Sequence, residues 1–75
     1  MAFSDNLQFL RTRRGQTQEQ LAEALEVSRQ SVSKWESGQS YPEMDTILRL
    51  CDLYQVDLDT LMRGSVEDSL VEDTA

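Results

Sequence analysis

Thr17-Gln18-Glu19-Gln20-Leu21-Ala22-Glu23-Ala24-Leu25, Glu26-Val27-Ser28 and Arg29-Gln30-Ser31-Val32-Ser33-Lys34-Trp35-Glu36-Ser37-Gly38 form the stretch whose reading decides the fold. Thr17 followed by Gln20 is a capping-box pattern, in which each side chain satisfies a backbone N–H at a helix start. Leu21, Ala22 and Leu25 then share one face of the helix it opens. Ser28 caps a further helix that carries Val32 and Trp35 and stops at Gly38. Only Glu26 and Val27 stand between the end of the first helix and that cap. Two short helices joined by so brief a turn form a helix-turn-helix unit.

Working outward, Leu7 and Leu10 set a preceding helix, which Ser4 is expected to cap and Gly15 to terminate. Beyond Gly38, Pro42 lies in a loop. Ile47, Leu48, Leu50, Cys51 and Tyr54 then recur at helical period. Asp57 is placed to cap a short last helix with Leu58, Leu61 and Met62, stopped by Gly64. Nothing alternates with period two over more than a few residues, so no strand is expected. The reading is all-α, a compact bundle of five short helices around a central helix-turn-helix, with a domain at residues 1–64. Residues 65–75 hold four acids and no base and read as an acidic tail or the start of a linker. Val66, Leu70 and Val71 could add one helical turn, but disorder is the expectation for this segment.

The third helix carries the chemistry. At about 100° per residue, Arg29, Gln30, Ser33 and Lys34 fall within an arc of roughly 140°, with Val32 and Trp35 opposite. The second member of a helix-turn-helix lies in the DNA major groove and offers its N-terminal residues to base edges. Arg donates two parallel hydrogen bonds to guanine O6 and N7, and Gln pairs bidentately with adenine N6 and N7. Ser33 permits close approach, and Lys34 reaches a base or a phosphate. A solvated polar face would look the same in isolation. The flanks decide the matter: Thr17 and Gln18 open a helix that can hold a phosphate, Gln39 and Ser40 stand on the other side, and Arg13 and Arg14 end the first helix.

Thr17 to Ala22 and Val27 to Gly38, with Leu10-Arg11 before them and Tyr41-Pro42 and Val56-Asp57-Leu58 after them, resemble the Cro/repressor-type helix-turn-helix family of bacteria and phages. The resemblance covers about residues 5 to 64. It implies a five-helix, lambda-repressor-like domain that binds double-stranded DNA, usually as a homodimer on operators with repeated half-sites. It implies a phosphate contact for Gln18 and a groove-facing row of Arg29, Gln30, Ser33 and Lys34. Arg11 and Glu36 match a family pair that ties the first helix to the end of the reading helix, although Arg11 could instead be a phosphate ligand. Gln16 departs from the pattern, which has an apolar residue there, and is expected to weaken the packing of the first loop.

Composition bounds the alternatives. Seventy-five residues make one small domain. A single Cys and no His exclude an internal disulfide, a Cys/His metal site and His-dependent triads. No cofactor is implied. Apolar runs are too short to span a membrane and no signal-peptide pattern opens the chain, so a cytoplasmic location without membrane contact is expected. The net charge is -7, which at first opposes a nucleic-acid partner. By position, residues 11–34 hold five bases against three acids, a net +2, while the remainder holds two against eleven, a net -9. The acidic remainder leaves one rival, a protein-interaction module or antirepressor that keeps the fold without operator binding. The acidic end also fits a longer parent that continues into a sensor or membrane portion. Among single residues, Trp35 reads as core rather than a base stacker and Cys51 as a small buried apolar group. Phe9 lies off the stripe, exposed, at a dimer or interdomain contact or at none. Asp57 and Asp59 read as capping groups rather than metal ligands.

Overall fold

The computed structural model describes residues 2–67. Its helices are α1 (Phe3–Arg13), α2 (Gln18–Leu25), α3 (Arg29–Glu36), α4 (Met44–Tyr54) and α5 (Leu58–Met62), and the described residues contain no strand. The all-α, five-helix expectation holds. α3 packs against α2 and α1, and α5 closes the bundle against α1 and α4.

Local chemistry sets most of the boundaries. The Thr17 hydroxyl accepts from the Gln20 N–H at 3.0 Å while Gln20 Oε1 accepts from the Thr17 N–H at 2.8 Å, a complete capping box. Ser28 Oγ accepts from the Ser31 N–H at 3.2 Å at the start of α3. Asp57 Oδ1 accepts from the Thr60 N–H at 2.7 Å at the start of α5, and hydrogen bonding from Thr60, by its side chain foremost and its backbone N–H second, holds the Asp57 carboxyl below its ordinary range. Asp59 serves instead as the ion-pair partner of Arg63 one turn later.

α1 corrects the sequence reading. It begins at Phe3 behind Ala2, with no side-chain cap, and Ser4 lies inside it. The core sets this start: Phe3 is 1% exposed, and beginning there brings Phe3, Asn6, Leu7 and Leu10 onto one buried face. Burial of Phe3, whose ring also meets that of Tyr41 at 5.6 Å, outweighs the ~1 kcal/mol a serine cap contributes. α2 and α4 end on Glu26 (φ 59°) and Gln55 (φ 56°), non-glycine residues in the left-handed region.

The core joins Leu7 and Leu10 of α1, Leu21 and Leu25 of α2, Val32 and Trp35 of α3, Ile47, Leu50 and Tyr54 of α4, and Leu61 of α5. Trp35 is core, as expected. Phe9 and Cys51 are both half-buried at its edge, so Phe9 is less exposed, and Cys51 less buried, than their positions suggested. Burial and the neighbouring Asp52 and Asp57 raise the Cys51 thiol pKa, which favours the unreactive form.

The disorder expected from Ser65 does not hold for Val66, which is fully buried in the same core. Its N–H donates to Asn6 Oδ1 at 3.2 Å. Asn6 Nδ2 in turn donates to the carbonyls of Thr60, Leu61 and Gly64 at 3.2, 2.9 and 3.1 Å. One buried amide thus closes the exposed end of α5 and draws Val66 under α1. Leu70 and Val71 lie outside the described residues.

Candidate nucleic-acid interface

α3 is held by its apolar side. Val32 is buried completely and Trp35 nearly so, which turns Arg29, Gln30 and Lys34 into solvent with Ser33 half-buried between them. Among the described residues, no hydrogen bond or ion pair engages these four side chains. The helix therefore presents a row of donors and acceptors whose bonding capacity is unused. Ser31, at the edge of that row, is committed to Ser28, 3.0 Å between hydroxyls.

A three-helix junction fixes the orientation of α3. Arg11 Nε and Nη2 donate to Glu36 Oε2 and Oε1 at 2.6 and 3.0 Å, and Nη1 donates to the Gln16 carbonyl at 2.7 Å. The pair is the scaffold that the family pattern implied, with side chains only 12% and 5% exposed. A bidentate guanidinium–carboxylate pair combines charge with fixed geometry. The hydrogen bond to Glu36, together with its charge, raises the Arg11 pKa against the opposing effect of burial. Arg11 is consequently spent inside the fold and is not presented as a phosphate ligand. Gln18 joins the same carboxylate, its Nε2 donating to Glu36 Oε1 at 3.1 Å.

A second cluster lies beside the first loop. Tyr54 Oη donates to Gln16 Oε1 at 2.7 Å, so the polar residue at position 16 is tied to the core instead of loosening it. The Arg14 guanidinium stands 5.1 Å from the centre of the Tyr54 ring, and its Nη2 donates to the Leu53 carbonyl at 2.7 Å. Arg14, expected at a phosphate, is turned onto the C-terminal end of α4, where free carbonyls and an aromatic face both attract a cation. Burial pushes the Tyr54 hydroxyl up to about 12, against the opposing pull of Arg14 and Arg11. Arg13 is exposed and unengaged among the described residues. After Gly38 (φ 81°), the Gln39 N–H closes onto the Lys34 carbonyl at 2.9 Å, which leaves the Gln39 side chain exposed and Ser40 half-buried. The α3 row of Arg29, Gln30, Ser33 and Lys34 thus stays unengaged, Gln18 at the start of α2 is tied to the end of α3 through Glu36, and Arg11 and Arg14 are bonded within the fold.

Residues 2–63 match the model of a family described as a helix-turn-helix domain. The chain belongs to the helix-turn-helix family. Among its helix-turn-helix relatives, the HTH-type transcriptional activator BcrR of Enterococcus faecalis is 46% identical over 72 residues, which are 96% of this chain and 35% of the relative. The chain spans between 35% and 63% of the length of the curated relatives it matches. Among solved structures, the SOS-response transcriptional repressor LexA from Eubacterium rectale superposes with a TM-score of 0.78 at 26% identity, covering 85% of this chain and 68% of that one. The P22 c2 repressor, solved with a synthetic operator, gives a TM-score of 0.80 at 23% identity over 87% of this chain and 98% of its own, a likeness of fold.

Proposed function

We propose that this helix-turn-helix domain is the sequence-specific, double-stranded-DNA-binding part of a transcription regulator, reading the major groove with α3. The observation that carries the reading is the unengaged polar row of Arg29, Gln30, Ser33 and Lys34 on a helix locked by its other face. Arg29 and Gln30 stand at the N-terminal end, where such a helix meets base edges. Gln18, Thr17 and Arg13, with Gln39 and Ser40 on the opposite flank, hold the phosphates that set register. The role has no catalytic step. The names of the relatives and the operator in the P22 c2 structure agree with it.

The working form is a homodimer whose reading helices lie about 34–36 Å apart on one DNA face. The domain occupies residues 1–64 together with Val66. Its C-terminal end leads into the remainder of a longer regulator, in keeping with the greater length of the relatives. No helix among the described residues is long and apolar enough to cross a membrane, and the DNA-bound domain works in the cytoplasm. An antirepressor that mimicked DNA would carry acids where Arg29 and Lys34 stand.

Selection from random duplexes tests the function. The expected product is a motif with two related half-sites, about one helical turn between centres. Absence of duplex binding at any salt concentration would overturn the DNA reading and leave the protein-interaction module.

A further inference from the structure

Glu36 lies at the inner end of α3, 5% exposed on its side chain, and has no route to DNA itself. One of its oxygens nevertheless receives two donors from different helices, Arg11 Nη2 at 3.0 Å and Gln18 Nε2 at 3.1 Å. The bond to Gln18 has a directional consequence. A carboxylate accepts and cannot donate, so it fixes which end of the Gln18 amide faces inward. Gln18 Nε2 carries two hydrogens, and one is committed to Glu36. Among the described residues the other has no partner.

We propose that Glu36 is a positioning residue for DNA binding: it holds the Gln18 amide so that the second Nε2–H meets a backbone phosphate at the start of α2. The inference rests on the DNA reading above and adds a mechanism to it. The Arg11–Glu36 pair fixes the carboxylate, and the carboxylate fixes the amide, so the scaffold of α1 and α3 also sets the phosphate contact of α2. A free glutamine would have to be ordered on binding, which costs side-chain entropy. Here the ordering precedes contact.

A double-mutant cycle separates this from a merely structural role. Affinity for a selected duplex is measured for the native chain, Gln18→Ala, Glu36→Gln and the double variant, with urea unfolding of each to correct for the folded fraction. The expected result is that Glu36→Gln weakens binding by about threefold or more in the native background and by much less in the Gln18→Ala background. Changes of net charge and any release of Arg11 occur in both backgrounds and cancel. Equal factors in the two backgrounds would overturn the proposal, as would a Gln18→Ala variant that binds like the native chain. Either result leaves DNA binding intact, whereas a native chain that binds no duplex removes both readings together. If Glu36→Gln does not fold, the Gln18 side-chain amide in the native protein gives the answer by 15N NMR. One proton protected in the free protein and the other shifted on adding duplex supports the assignment. Two protons exchanging as in a solvated glutamine would overturn it.

Discussion

The side chains proposed to read DNA and those that hold α3 in place differ in their hydrogen-bond partners. Arg29 has none within the described fold and is exposed at the start of α3, as the proposed base contact requires. Arg29→Ala is expected to remove ~1–3 kcal/mol of discrimination at one base per half-site. A binding series over every base at that position checks it, and unaltered preference would remove Arg29 from the reading row. Asn6 is the opposite case, fully buried with four backbone groups on one amide. Asn6→Ala removes these bonds from buried groups and should cost about 1–3 kcal/mol in urea unfolding. The row on α3 was legible because it follows from helical angles alone. Asn6 was not: its partners lie 54 to 60 residues away, and a local pattern says nothing about so distant a carbonyl. The partners of Arg14 were hidden for a related reason, since a basic residue at a helix end has the same sequence signal whether or not it lies over Tyr54.

Elements were readable wherever a side chain closes on its own backbone. Thr17, Ser28 and Asp57 each bond an N–H three residues on, and those starts were found. The start of α1 failed because it answers to burial of Phe3, a tertiary demand with no local signature. Turn geometry yields a further expectation. Glu26 holds φ 59° at the elbow of the helix-turn-helix, where an L-residue is strained by roughly 1–2 kcal/mol and glycine is not. Glycine gives back part of that through its freer unfolded chain. Glu26→Gly should therefore raise stability by about 0.5–1 kcal/mol in denaturant midpoint measurements. An unchanged or lower midpoint would mean that the Glu26 side chain contributes more than its exposure suggests.

For the molecule as a whole, the charge of -7 restricts grip on arbitrary DNA, because sequence-independent affinity comes from neutralised phosphates. Under the proposed reading, tight binding then depends on correct base contacts and on pairing of two domains on one site. Alkaline pH acts on stability through Tyr54. Its folded value of about 12 stands above the ordinary 10, so the neutral hydroxyl contributes stability in full below pH 10. That contribution is lost as pH rises toward 12. Urea midpoints compared between pH 8 and pH 11 should fall more steeply in the native chain than in Tyr54→Phe, and parallel curves would count against the assignment.

The Asn6 clasp also bears on time. It joins residues 6 and 66, whereas the α2–α3 unit is built from neighbours along the chain. Long loops must be closed before distant contacts repay them, so α2 and α3 are expected to assemble early and the clasp to close after the barrier is crossed. Removing it should leave the refolding limb of a chevron in place and raise the unfolding limb. The clasp would then govern the lifetime of the folded domain, and the reading unit the speed of its formation.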